Sequence, residues 1–196
     1  MWVITADQRG SRVVGERVAE LLAGLPDVAG IVRPAERTVG DEVQAVLDDA
    51  RGVVDLTLHL LRDGGWSVGI GAGAVDEPLP TSSREASGEA FVLAREAVDS
   101  AKSRHRSVPV AVRGADADAA ADAEAVLTLV GAVAARRSPA GWEVVDLAVA
   151  GEAQSAIARR LGVSVQAVSQ RLRTALWAEE VAARPAAARL LVAAAG

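Results

Sequence analysis

Residues 154–173 read Gln-Ser-Ala-Ile-Ala-Arg-Arg-Leu-Gly-Val-Ser-Val-Gln-Ala-Val-Ser-Gln-Arg-Leu-Arg. The stretch predicts a helix, a tight turn and a second helix. Gly162 suits the left-handed backbone of such a turn, which a β-carbon resists. Ser164 is a good N-cap for the second helix. Ala158 is small enough to let the two helices cross closely, and Ile157, Leu161, Val163, Val168 and Leu172 fall on the inward side. The second helix then offers Ser164, Gln166, Ser169, Gln170 and Arg173 outward. Gln and Arg side chains make paired hydrogen bonds to base edges in the major groove. The pattern therefore predicts a helix-turn-helix that reads double-stranded DNA through its second helix. The plainer alternative is a helical hairpin that packs on its own domain.

Upstream, Gly141-Trp142-Glu143-Val144-Val145-Asp146-Leu147 fits a supporting helix. Residues 122–177 together resemble the helix-turn-helix of bacterial sigma-factor region four and of related response-regulator DNA-binding domains. The resemblance implies a recognition helix at 164–175, with Arg159 and Arg160 near the backbone phosphates or, equally, on a solvated helix face.

Composition sets the outer bounds. In 196 residues there is no Cys, which excludes disulfides, thiolate zinc sites and thiol catalysis, and only two His, which excludes a multi-His metal centre. Any metal must be hard and oxygen-bound, such as magnesium or manganese. No apolar run approaches the ~20 residues of a membrane span, and the N-terminus has no basic segment followed by an apolar one. The expectation is a cytoplasmic protein without a membrane segment. Net charge is −5, yet residues 151–177 carry four Arg against one acid, Glu152. A local basic stretch in an acidic chain fits a nucleic-acid partner.

The first half alternates strand-like and helix-like segments. Trp2–Ala6 reads as a buried strand, and Val14, Val18, Leu21 and Leu22 as one helix face after Gly10 and Ser11. Residues 28–39 and 43–47 read as a hairpin centred on Gly40-Asp41. A helix is expected over 49–62 and a strand over 66–75. Gly69, Gly71 and Gly73 share one face of that strand, which suggests close approach of a helix or ligand. A helix over 88–102 and a strand over 108–112 follow. The order is that of a ferredoxin-like domain with one added helix and strand. The fold class expected is α+β: a ferredoxin-like domain over 1–114, a linker or frayed helix start at 115–123, and an all-helical domain over 118–196. Lys102, Arg104, His105 and Arg106 read as a basic helix end, and His59 as a partly buried core residue.

Asp7 ends the first strand and Asp41 caps the hairpin that lies beside it. The two are expected to face each other at one edge, where paired carboxylates suit magnesium or manganese. Backbone N–H groups at Gly10 and Ser11 suit phosphate, as do the side chains of Arg9, Arg12 and Arg37. Each Asp also has a plain reading, as a helix cap and as a turn residue. Glu42, one residue beyond Asp41, is expected to point away from it.

This constellation resembles the class III nucleotidyl cyclase core, in which a first-strand aspartate and a hairpin Gly-Asp hold two metal ions. Arg37 lies where that family often has a lysine. More specifically it resembles bacterial SatD-like proteins, of which many actinobacterial members carry a helix-turn-helix. The resemblance implies a nucleotide- or metal-sensing or dimerising N-terminal domain, and a homodimer. The helix over 88–102 lacks the family's Asn, and Arg95 is displaced, which points away from cyclase activity. The function expected is sequence-specific DNA binding in transcriptional control. The alternatives are a magnesium-dependent nucleotidyl cyclase or transferase with a DNA-binding module, and a scaffold whose helices bind protein.

Overall fold

A computed structural model describes residues 1–11 and 15–196. Strands β1 (Trp2–Gln8), β2 (Ile31–Arg37), β3 (Glu42–Leu47), β4 (Trp66–Ala72) and β5 (Val110–Gly114) form one sheet in the order β2-β3-β1-β4-β5. Helix α1 (Val18–Gly24) lies between β1 and β2, α2 (Ala50–Asp63) between β3 and β4, and α3 (Glu89–Ala101) between β4 and β5. Then come α4 (Ala117–Ala135), α5 (Pro139–Val149), α6 (Gln154–Leu161), α7 (Val165–Thr174) and α8 (Trp177–Ala194). An α+β N-terminal region is thus followed by a helical C-terminal region. β1 runs antiparallel to β3 and β4, β2 to β3, and β5 is parallel to β4.

Period-two alternation sorts the strand residues onto two faces. Trp2, Ile4 and Ala6 join Val43, Ala45, Leu47, Val68 and Ile70 in the main core. On the other side, Val3 and Val46 meet Ala90 and Ala94 of α3. The glycines of β4 make that contact possible. A β-carbon at Gly69 would lie 2.2 Å from Val98 N, and one at Gly71 2.0 Å from the Ala90 carbonyl. The glycine row is filled by the chain's own helix, so it is not available to a second copy.

The main core does not stop at residue 114. Leu127 of α4 and Leu191 of α8 are fully buried in it, against the same sheet face as α2. The Trp2 indole N–H donates to the Leu191 carbonyl at 3.0 Å, and the Asp116 N–H to the Ala194 carbonyl at 3.2 Å. The expected division between 114 and 118 therefore does not separate two cores. Nor is 115–123 a linker, since the Asp116 carboxylate accepts from the N–H groups of Asp118 and Ala119 and starts α4 at once.

Two further boundaries differ from expectation. β5 begins at Val110, not Val108, because Pro109 has no N–H and enters the ladder only through its carbonyl, which accepts from Val68 N–H at 2.8 Å. The helix expected after Ser11 is not continuous: residues 15–17 are not helical, Gly15 has φ 83° and α1 begins at Val18, while Val14 lies outside the described residues. β2 pairs irregularly on either side of Arg33, the second shift spanning Pro34, and those irregularities blunt an otherwise open sheet edge.

The helix-turn-helix has its own small core of Val144, Ile157, Ala158 and Val168. It is tied to the sheet through charged contacts. The Arg137 side chain is fully buried and donates to Glu180 Oε2 at 2.6 Å and to the Ala175 carbonyl at 2.9 Å. Arg62 on α2 donates to both carboxylate oxygens of Asp146 on α5, at 2.5 and 2.8 Å. No helix among the described residues is long and apolar enough to cross a membrane.

Candidate functional site

The turn of residues 161–164 has the geometry its sequence requires. Gly162 ends α6 at φ 65° and ψ 30°, and Val163 N–H donates to the Ala158 carbonyl at 3.0 Å. Ser164 Oγ accepts from Ala167 N–H at 3.1 Å, so this hydroxyl is engaged as the cap of α7. Ile157, Ala158 and Val168 are buried between α6, α7 and α5, with Leu161, Val163 and Leu172 packed around them.

That packing leaves Gln166, Gln170 and Arg173 exposed along one stripe of α7, with Ser169 half-buried beside them. Arg173 Nη2 donates to Gln170 Oε1, so the two side chains are already linked on the outer surface. The four arginines of the basic stretch are not equivalent. Arg160 is held by Glu152 at 2.6 Å and Arg171 by Glu143 at 3.2 Å. Arg159 and Arg173 have no carboxylate partner among the described residues. The local basic stretch of four Arg against Glu152 thus narrows to two charges without a carboxylate partner among the described residues, one on each helix of the motif.

The second place to weigh is the end of the sheet on its α3 side. Register sets Asp7 opposite Glu42 on β3 and opposite Ser67 on β4. Asp41 lies one residue earlier, in the turn, where its carbonyl accepts from Gln8 N–H at 3.2 Å. The acid that stands across from Asp7 is therefore Glu42, not Asp41. The reason is the turn itself. Thr38 N–H donates to the Glu42 carbonyl at 2.9 Å with Gly40 at φ 62°, which makes Glu42 the first paired residue of β3. One step of register moves a side chain to the other face.

Neither facing acid is open. Lys102 Nζ donates to Asp7 Oδ2 at 3.0 Å and to Asp99 Oδ1 at 3.1 Å. Burial works to lower the Lys102 ammonium, but the hydrogen bonds and charges of Asp7 and Asp99 outweigh it and raise its pKa above the ordinary value. Glu42 accepts from Thr38 Oγ1 at 2.6 Å and from Arg95 Nη2 at 3.0 Å. Arg95, out of place for a cyclase, is thus the counter-ion of Glu42. Each facing acid is thus already paired with a resident cation. Among the described residues, no three acidic or imidazole side chains gather as a ligand set.

The phosphate candidates are scattered. Arg37 pairs with Glu16, and Arg9 is exposed. Gly10 has φ 71°, while Arg12 and the residues that would open a helix after Ser11 lie outside the described residues. Lys102 and Arg95 were not legible as partners of Asp7 and Glu42, because α3 meets the sheet only through the tertiary fold. No family model, curated protein or solved structure matches the chain.

Proposed function

We propose that this chain is a cytoplasmic, sequence-specific DNA-binding protein that controls transcription. The observation that carries the reading is the exposed stripe of Gln166, Gln170 and Arg173 on α7, set by a left-handed Gly162 and by Ser164 as the cap of that helix. These side chains have the donor and acceptor pairs that major-groove base edges require. Arg159, exposed on α6 without a carboxylate partner among the described residues, suits a backbone phosphate. In this reading the sheet, in ferredoxin-like arrangement with an added α3–β5 unit, is the body of a SatD-like regulator. It acts as a homodimer, because helix-turn-helix proteins read paired half-sites.

The alternative, a magnesium-dependent nucleotidyl cyclase or transferase joined to a DNA-binding module, has less support. Asp7 is committed to Lys102 and its facing acid Glu42 to Arg95. The direct experiment is selection of binding sites from a random duplex pool with the full chain, followed by binding measurements on the enriched sequence. Recovery of one enriched motif supports the reading, and a pool that stays random through successive rounds refutes it.

A further inference from the structure

A cavity of about 320 Å³ lies where the α/β region meets the helix-turn-helix. Leu58 and His59 of α2 form one wall, Val145 and Val149 of α5 another, and Asp27 stands at its edge. The volume is within the range of about 300–1,000 Å³ that small-molecule sites occupy. We infer that this cavity binds a small organic cation with an apolar body, and that α5 passes its occupancy to the recognition helix.

The charge class follows from what is already engaged. Arg62 and Arg184 both line the cavity. The terminal nitrogens of Arg62 are held by Asp146. All three nitrogens of Arg184 are held, by Asp55 at 2.9 Å and by Glu180 at 2.5 and 3.2 Å. An anion entering here would have to displace a carboxylate from one of these guanidinium groups. His59 adds no cation, because burial holds its pKa below the ordinary value. Carboxylate is in surplus. Asp27 has no hydrogen-bond or charge partner among the described residues, and only one oxygen of Asp55 is bonded. An ammonium group would find Asp27 and Asp55, and its apolar body would lie against Leu58, Val145 and Val149.

The coupling follows from the two faces of α5. Val145 and Val149 line the cavity, while Val144, Leu147 and Ala148 pack in the helix-turn-helix core with Ile157 and Val168. A body wedged between Leu58 and Val145 therefore shifts α5 against α2, and α7 moves with it. Occupancy then changes affinity at a distant surface, which is a coupling between two sites. This second half rests on the DNA-binding reading; the first half does not.

The test uses the full chain and benzyltrimethylammonium as probe, with benzenesulfonate as the anionic control. Calorimetry is expected to show one saturable site for the cation and none for the sulfonate. Asp27→Asn, an exposed position, is expected to weaken the cation by roughly tenfold, the scale of one lost charged contact, and Val149→Trp, which adds bulk at an exposed lining position, is expected to weaken it by obstruction. Duplex affinity is expected to change with the cation in the wild-type chain and not in Val149→Trp. Absence of saturable cation binding, equal binding of the sulfonate, or undiminished binding by both variants overturns the site. Saturable binding with duplex affinity unmoved overturns the coupling. A chain that binds no duplex at all contradicts the proposed function instead, and calorimetry still decides the cavity.

Discussion

The Arg62 guanidinium lies 3.9 Å from the centroid of the Trp142 ring. Arg62 belongs to the helix that backs the sheet and Trp142 to the helix that supports the helix-turn-helix. Arg137 lies over the same ring at 4.3 Å. Cation–π and ion-pair contacts thus join the helix-turn-helix to the α/β region. Such contacts are directional, and each has a limited number of partners that can be removed one at a time.

Arg137 and Glu180 are the most buried members of this joint, with side chains 0% and 3% exposed. Removing one member strands the other as a buried charge. Glu180→Ala is expected to lower stability by about 3–5 kcal/mol, read from urea unfolding of the full chain. A loss no larger than that of an exposed pair such as Arg160–Glu152 would show that the joint carries little.

The sheet core is completed by α4 and α8, so residues 1–114 are not expected to fold cooperatively when expressed alone. Circular dichroism during heating provides the check: a broad, non-sigmoidal change is expected. A sharp transition like that of the full chain would show that Leu127 and Leu191 are dispensable to the core.

Gly71→Ala is expected to cost about 1–3 kcal/mol by overpacking, because the new β-carbon would fall 2.0 Å from the Ala90 carbonyl. Gly24→Ala has nothing within 4 Å and serves as the control. Equal denaturation midpoints for the two variants would contradict the close approach of α3 to β4.

These two substitutions mark what was legible in the sequence. The glycine row of β4 and the Gly162–Ser164 turn were readable because a missing β-carbon, a positive φ and a cap are local demands. The alternation of Val43, Ala45 and Leu47 was readable for the same reason. The facing of Asp7 by Glu42 was not, since it depends on where the hairpin turn closes, and one residue changes the face. The wrap of α8 onto Trp2 was not readable either. Its alanine-rich sequence shows no narrow apolar stripe, and its partners lie far away in the chain.

His59 gives a pH signature. Burial, the largest influence, lowers its pKa from the ordinary 6.5; Asp63 opposes this and Arg62 adds to it. The unfolded chain therefore takes up the proton first as pH falls. Stability from this group is intact above about pH 6.5 and is lost progressively below it. His59→Gln should remove that part of the pH dependence in urea midpoints measured between about pH 7.5 and about pH 5.5. Superimposable pH profiles for the two proteins would show that His59 is not desolvated.

Under the proposed function α7 is the element that reads DNA. The most direct measurement is fluorescence anisotropy of the full chain on its selected duplex and on single-base variants of it, for wild type, Gln170→Ala, Arg173→Ala and Arg159→Ala. Arg173→Ala is expected to lose about 1–3 kcal/mol on the selected duplex and to relax preference at one base pair. Arg159→Ala is expected to weaken all duplexes alike and to reduce the salt dependence by about one phosphate contact. Equal affinity and equal base preference for wild type and all three variants, or no binding even at low salt, would contradict it.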